Sequence, residues 1–149
     1  RLRHRACRIV GDHALPAYQE SWSPCWFAGM VRGGASAVRV NGEYYAFFHG
    51  ASEETRPRSY SLGCYTFDAD PPFRPRRLTK FPLLVADPRE QPRSGVPYCV
   101  YPCGAVLEGS DWRISYGYFD HEVRVTDLPC RFVEERLFPV HYHRRASEL

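Results

Sequence analysis

From Gly33 onward, short runs of aromatic and β-branched residues alternate with polar turns along the chain. The clearest example is the run at 43–49, which directly follows the pair Asn41-Gly42. An Asn-Gly pair between two such runs is the strongest short-range signal for a β-hairpin, because both residues accept the positive φ of a type I′ turn. The pattern therefore predicts an all-β chain over this region.

The runs fall into two groups of four, separated by a proline-containing segment at 81–97 that we expect to be a linker. The first group occupies residues 34–80, with runs at 36–40, 43–49, 60–67 and 73–79. The second occupies residues 98–137, with runs at 98–107, 112–116, 121–126 and 130–137. Two tandem four-stranded antiparallel meanders are typical of consecutive β-propeller blades, and an eight-stranded β-sandwich fits the same pattern.

The two ends of the chain show little periodicity. In residues 1–33, Pro16 and Pro24 interrupt any long helix, so we expect an irregular lead-in with one short helix from Pro16 to Trp22. Residues 138–149 are predicted to be a tail. His141 and His143 would share a face if they lay on a strand, but no third ligand is evident, so no metal site is predicted.

Composition and charge argue against two classes of partner, nucleic acids and membranes. The formal net charge is +3, from 20 basic and 17 acidic residues spread through the chain, which is too weak to indicate nucleic-acid binding. No window approaches the roughly 20 apolar residues of a membrane span, and the first residues lack the apolar core of a signal peptide. We therefore expect a soluble, cytoplasmic protein with neither a nucleic acid nor a membrane as partner.

Several motifs occur in a recognisable order within the two groups. They are Arg32-Gly33-Gly34-Ala35-Ser36-Ala37-Val38, Tyr45-Ala46-Phe47-Phe48-His49-Gly50, Tyr60-Ser61-Leu62-Gly63-Cys64, Pro71-Pro72-Phe73, Tyr98-Cys99-Val100-Tyr101-Pro102-Cys103-Gly104 and Ser115-Tyr116-Gly117-Tyr118-Phe119-Asp120. This ordered set resembles the C-terminal half of glycoside hydrolase family 130, the mannoside phosphorylases and their hydrolase relatives. The resemblance covers residues 33–137 and implies two blades of a glycosidase-type five-bladed β-propeller.

The resemblance also implies ligand-binding residues. His49 and Tyr60 would lie on the phosphate or leaving-group side of the site, and Asp120 would accept hydrogen bonds from sugar hydroxyls. Tyr101 and Tyr116 offer flat apolar faces for sugar C–H groups, as does Tyr118.

Each of these residues also has a purely structural interpretation. His49 could bond to backbone, Asp120 could serve a tight turn, and the tyrosines could belong to the core. Sequence alone does not choose between the two interpretations.

The catalytic residues are not assigned by this comparison. In the family, the general-acid aspartate and several phosphate-binding basic residues lie in N-terminal blades that this sequence does not contain. Glycoside cleavage needs a carboxyl pair, or an acid with an activated phosphate or water. We therefore expect a carbohydrate-binding or vestigial glycosidase-like protein, with no cofactor and with inorganic phosphate as the one implied co-substrate.

Two other functions stay open at this point. One is an active mannoside phosphorylase or hydrolase completed by a partner chain or by missing blades, and the other is a structural or interaction module without a small ligand. Two blades alone would leave apolar sheet faces uncovered. The chain is therefore expected to be a fragment of a larger propeller or to form a homo-oligomer, most simply a twofold dimer.

Overall fold

The computed structural model describes residues 2–10, 13–22, 30–52, 58–90 and 95–140, with side chains from residue 31 onward. Strands make up nearly all of the regular structure in these ranges, which confirms the all-β prediction. In chain order the elements are β1 (Leu2–Val10), β2 (His13–Trp22), β3 (Met30–Gly34), β4 (Val38–Val40), β5 (Glu43–Ser52), β6 (Ser59–Asp68), β7 (Pro75–Thr79), β8 (Tyr98–Glu108), β9 (Asp111–Tyr118), β10 (Glu122–Pro129), α1 (Cys130–Glu134) and β11 (Leu137–Pro139).

The first meander consists of β3 to β7. Strands β3 and β4 both pair with β5, and β5, β6 and β7 follow one another, with every pairing antiparallel. Asn41 and Gly42 form the turn between β4 and β5 with φ values of 46° and 86°. The positive φ at both residues is what a type I′ turn requires, and the predicted hairpin is confirmed.

The second meander consists of β8, β9 and β10, which pair antiparallel in that order. Gly109, with a φ of 59°, lies in the turn between β8 and β9. The turn between β9 and β10 contains Phe119 and Asp120, whose φ values are 53° and 56°. Left-handed backbone is costly for a residue with a Cβ and least so for Asn and Asp, so this turn holds an aromatic residue in a strained conformation.

The two meanders join at one end. Strands β6 and β8 run parallel over two residues, where Ser59 is opposite Tyr98 and Tyr60 is opposite Cys99. The linker after β7 returns alongside β6, where the N–H of Leu62 donates to the carbonyl of Leu84 and the N–H of Leu83 donates to the carbonyl of Leu62. The start of β8 is therefore held beside the start of β6.

The main core lies between the facing sides of the two meanders. Trp112 of β9 packs against Tyr45 and Phe47 of β5, with ring centroids 5.2 Å and 5.0 Å apart. Leu62, Val100, Ile114 and Val133 are fully buried around these rings. Burial of aromatic and branched side chains from both meanders supplies the dominant favourable term for their association.

The predicted strand at 130–137 is wrong. Residues Cys130–Glu134 form helix α1, and the strand that follows, β11, pairs with β7 of the first meander instead of β10. Val133 is the buried residue of α1, and Leu137 of β11 is buried as well. Since β11 includes Phe138 and Pro139, the predicted tail at 138–149 also begins too early.

The predicted irregular lead-in with a helix at 16–22 is wrong as well. Strands β1 and β2 pair antiparallel over their whole length, and Met30–Gly34 is already β3. The β1–β2 register shifts where Cys7 is opposite Pro16, and a bulge of this kind accommodates a proline in a strand. In the sequence, Gly11-Asp12 stands between the two strands and is itself a hairpin signal.

Candidate functional site

His49 is buried near the end of β5, with 7% of its surface exposed. Its cross-strand neighbour on β3 is Arg32, and the β3 register then shifts so that Gly34, not Gly33, is opposite Phe48. Gly33 is thus the extra residue of a β-bulge. Its carbonyl oxygen lies 2.6 Å from Nδ1 of His49. The bulge in the Arg-Gly-Gly segment therefore orients the imidazole.

The protonation of His49 follows from these contacts. A backbone carbonyl can only accept a hydrogen bond, so Nδ1 is the donor and carries the proton. Burial lowers the pKa of His49, the bond to Gly33 opposes that shift, and the nearby positive charge of Arg32 lowers the pKa further. His49 is accordingly a neutral imidazole at neutral pH, with the lone pair on Nε2.

Two tyrosines lie against the His49 ring. The centroid of Tyr60 is 5.8 Å from that of His49, and the centroid of Tyr101 is 4.5 Å from it. Tyr60 reaches this place because the first residues of β6 pair with the end of β5. Tyr101 follows two residues after Cys99, the partner of Tyr60 in the parallel pairing. It is 40% exposed, so part of its ring is open to a ligand.

Asp120 lies at the same end of the two meanders. The backbone N–H of Phe119 donates to the carbonyl of Cys99 over 3.1 Å, which holds the β9–β10 turn against the start of β8. Burial, followed by the charge and hydrogen bond of the Asp120 carboxylate, raises the pKa of Cys99 to about 12. The thiol is therefore protonated and unreactive, and the exposed Asp120 carboxylate interacts with it at the residue of β8 that is opposite Tyr60.

Tyr116, the remaining predicted site residue, lies elsewhere. It is 7% exposed and belongs to the main core, where its ring makes an edge contact with Tyr118 at 6.3 Å. Burial raises the pKa of Tyr116. These are the surroundings of a core residue, so the structural interpretation is the better one for Tyr116.

The cluster of His49, Tyr60, Tyr101 and Asp120, here called the inner-end cluster, offers a specific set of chemical groups. It has an imidazole acceptor, two phenols that donate and accept, and a carboxylate that accepts two hydrogen bonds. Among the described residues, Asp120 is the acidic side chain with a contact at this end of the meanders. Glu53 and Glu54 are not among the described residues. Binding of a polyhydroxylated ligand suits these groups better than acid–base cleavage.

The sequence interpretation missed three participants. Gly33 supplies the carbonyl that fixes His49, Arg32 supplies a nearby positive charge, and Cys99 positions Asp120. The sequence did point to Gly33 and Arg32, because these two residues begin the glycine-rich motif. Cys99 also belongs to one of the motifs, but its role depends on contacts between distant segments.

Neither a membrane-crossing helix nor a metal cluster occurs among the described residues. None of their helices is both long and apolar enough to cross a membrane. In the same ranges, no group of three or more His, Cys, Asp or Glu side chains is arranged to hold a metal ion. His141 and His143 lie outside the described residues.

Comparison with known proteins gives consistent matches. The family model described as beta-1,4-mannooligosaccharide phosphorylase, of glycoside hydrolase family 130, matches residues 12–135. A beta-1,2-mannobiose phosphorylase from Listeria innocua serovar 6a is 31% identical over 103 residues, which are 68% of this chain and 28% of the relative. The chain therefore spans less than a third of the length of that relative.

A solved structure agrees with these matches at the level of the fold. The beta-1,2-mannobiose phosphorylase from Listeria innocua, in complex with beta-1,2-mannobiose, superposes with a TM-score of 0.64 at 24% identity, covering 83% of this chain and 33% of that chain. The fold is of the propeller type, which confirms that prediction over the β-sandwich, while the division into two blades stays a prediction. The chain belongs to glycoside hydrolase family 130.

Proposed function

We propose that this chain binds a mannoside-like carbohydrate at the inner-end cluster. The observation that carries the proposal is the convergence of His49, Tyr60 and Tyr101, with ring centroids 4.5 Å and 5.8 Å from His49, at the end where Asp120 also lies. A mannoside presents hydroxyl groups and a C–H face, which match a carboxylate and aromatic rings. The similar solved structure is a complex with beta-1,2-mannobiose, which makes this disaccharide the probe of choice.

The test is calorimetric titration of the chain with beta-1,2-mannobiose. Asp120→Asn keeps the size of the side chain and tolerates the positive φ, but it removes the charge that strengthens two hydrogen bonds. Since hydrogen bonds to charged groups contribute about 1.5–3 kcal/mol, the affinity should fall at least about tenfold.

The matched control is Asp70→Asn, an exposed aspartate between β6 and β7. It should bind like the wild type. Equal affinities of Asp120→Asn and the wild type would contradict the site assignment. Absence of binding by the wild type would favour the alternative of a structural or interaction module without a small ligand.

We further propose that cleavage, with inorganic phosphate as co-substrate, requires residues supplied by a partner chain or by further blades. The names of the matched relatives support a phosphorolytic reaction, and the chain spans 28% of one and 33% of the other. The inner-end cluster contributes one carboxylate among the described residues, whereas glycoside cleavage commonly uses two. The chain alone should therefore release no mannose 1-phosphate from beta-1,2-mannobiose and phosphate, and release by the purified chain would contradict this.

We also propose that a second copy of the chain covers the outer face of the second meander. Val106, Val123 and Val125 on this face are 49%, 80% and 61% exposed. In the strand register Gly117 is opposite Val123, and Ser115 is opposite Val125 and Gly104, whereas Val106 lies in the row of the Arg113–Asp127 ion pair. The face therefore combines exposed valines and small residues with an ion pair at one side. Exposed apolar faces of this kind are typical of interfaces, and a twofold axis would set the valines of each copy on the small residues of the other.

A further inference from the structure

The turn between β9 and β10 contains two consecutive residues with left-handed backbone. Phe119 has a φ of 53° and Asp120 has a φ of 56°. The N–H of His121 donates to the carbonyl of Tyr118 over 3.3 Å, which closes the turn. Positive φ at both central positions is the pattern of a type I′ turn, which Asn-Gly and Asp-Gly pairs normally supply. A bulky aromatic residue in this region is an outlier, and such a conformation persists only where the surroundings hold it.

The surroundings hold Phe119 at its backbone and at its ring. Its N–H donates to the carbonyl of Cys99 over 3.1 Å, and its carbonyl accepts a hydrogen bond from Nδ1 of His121 over 2.9 Å. The ring is 3% exposed, and its centroid lies 4.1 Å from that of Tyr118 and 5.8 Å from that of Tyr98. Because burial of a phenylalanine side chain stabilises a fold by more than one left-handed residue costs, the ring can hold this conformation.

Asp120 follows Phe119 directly and carries the exposed carboxylate of the inner-end cluster. This carboxylate interacts with the thiol of Cys99, the same residue whose carbonyl binds the N–H of Phe119. An exposed carboxylate binds a ligand more tightly when it is ordered beforehand, because ordering a loop and a side chain during binding lowers the affinity. The anchored aromatic residue supplies this order in advance.

We propose that Phe119 is a positioning residue, whose buried ring fixes the left-handed turn and thereby holds the Asp120 carboxylate in place for the ligand. The inference rests on the proposed function and explains how the carbohydrate site keeps its geometry. Backbone preference alone opposes this turn, because a residue with a Cβ disfavours the left-handed region. Removal of the ring should therefore loosen Asp120 even when the replacement tolerates a positive φ.

Two substitutions of Phe119 and one control separate the ring from the backbone and from overall stability. Phe119→Gly removes the ring together with the penalty for positive φ, so it should preserve the fold better than an alanine at this position. Phe119→Leu keeps an apolar side chain in the same place. Val133→Ala truncates a fully buried side chain in α1, beyond the other end of β10, and controls for a general loss of stability.

The test combines nitrogen-15 relaxation, which needs no ligand, with calorimetric titration of the full chain. The order parameter of the Asp120 amide should be about 0.85 in the wild type, Phe119→Leu and Val133→Ala, and below about 0.6 in Phe119→Gly. Phe119→Gly should bind beta-1,2-mannobiose at least about tenfold more weakly than the wild type, whereas Phe119→Leu and Val133→Ala should bind like it.

A double-mutant cycle shows whether Phe119 acts through Asp120. A positioning residue acts only through the group that it positions, so Phe119→Gly should cause no further loss of affinity in a chain that already carries Asp120→Asn. A general effect on the fold would weaken binding in both backgrounds.

The outcomes separate this inference from the proposed function. An Asp120 amide as ordered in Phe119→Gly as in the wild type would overturn the inference, as would an equal loss of affinity in the Asp120→Asn background. Losses of order and affinity in Val133→Ala equal to those in Phe119→Gly would overturn it too. Absence of mannobiose binding by the wild type overturns the proposed function, whereas a loss of order confined to Phe119→Gly would still support the positioning of Asp120 by Phe119.

Discussion

At the scale of single residues, His49 connects the bulge in β3 to the properties of the inner-end cluster. Gly33 bonds to Nδ1 because the register shift leaves its carbonyl outside the regular ladder. Burial of the ring lowers its pKa from the ordinary value of 6.5. The position of this histidine therefore couples stability to pH as well as setting the hydrogen-bonding character of the site.

The first prediction concerns that coupling. Between the lowered pKa in the folded chain and about 6.5 in the unfolded chain, the unfolded state binds more protons at His49, so the free energy of unfolding decreases as the pH falls below about 6.5. The wild type should show a larger drop in urea midpoint between neutral pH and mild acid than His49→Gln, which has no titrating ring. Parallel pH profiles for the two proteins would contradict the lowered pKa.

Gly34 gives a second prediction at this scale. A Cβ added at Gly34 would lie 2.4 Å from the carbonyl oxygen of Phe47 and 2.8 Å from Cγ of Pro102, whereas one at Gly33 would meet nothing within 4 Å. Gly34→Ala should therefore destabilise the fold by about 1–3 kcal/mol or more, since backbone must move. Gly33→Ala is the adjacent control and should change the urea midpoint much less. Equal effects would mean that β3 does not approach β5 and β8 as described.

At the scale of elements, α1 connects the second meander to the first. Glu134 accepts hydrogen bonds from Tyr45 over 2.5 Å and from Arg77 over 2.6 Å, and Arg77 also donates to Glu43 over 2.8 Å. Burial, together with the bond to Glu134, raises the pKa of Tyr45, so its hydroxyl stays a donor. Glu134 thus joins α1 to β5 and β7.

Glu134→Ala should therefore destabilise the protein. It leaves the Tyr45 hydroxyl proton without its acceptor and removes one of the two carboxylates that bind Arg77, which costs about 1–3 kcal/mol, and the 41% exposure of the Glu134 side chain favours the lower half of that range. Glu135→Ala is the control, since Glu135 is 70% exposed and only approaches Arg136 at 4.0 Å. Urea unfolding measures the loss of stability in each of the two variants. A loss no greater for Glu134→Ala than for Glu135→Ala would show that the network contributes nothing.

The elements also show what sequence can and cannot predict. The β4–β5 hairpin was predictable because Asn41-Gly42 determines a local turn. Helix α1 was not, because a short run with Phe132 and Val133 fits either a strand or a helix, and its contacts with Tyr45 and Arg77 lie far away in sequence. The β1–β2 pairing was not predicted because Pro16 indicates a break, whereas the register shift opposite Pro16 accommodates it within the strand.

The candidate site was also predictable only in part. The motifs supplied His49, Tyr60, Tyr101 and Asp120, but their proximity depends on non-local features. These features are the bulge at Gly33, the parallel pairing of β6 with β8 and the contact of Cys99 with the β9–β10 turn. Tyr116 illustrates the limit, because alternation alone does not distinguish the core face of β9 from a ligand-facing position.

At the scale of the whole molecule, we predict that the exposed valines on the outer face of the second meander determine how the chain associates. If a second copy covers this face, light scattering after gel filtration should give twice the chain mass of 17.2 kDa. Val125→Lys places a charge in the middle of the face and should yield monomers. Val85→Lys, at a linker position that is 55% exposed, is the control and should stay dimeric. A monomeric wild type would contradict the dimer.

A crystal structure of the chain soaked with beta-1,2-mannobiose tests most directly whether the inner-end cluster is a carbohydrate site. We predict density for the sugar within hydrogen-bonding distance of the Asp120 carboxylate and Nε2 of His49, with a sugar face against the ring of Tyr101. An ordered sugar bound at another surface, with these three side chains untouched, would contradict it.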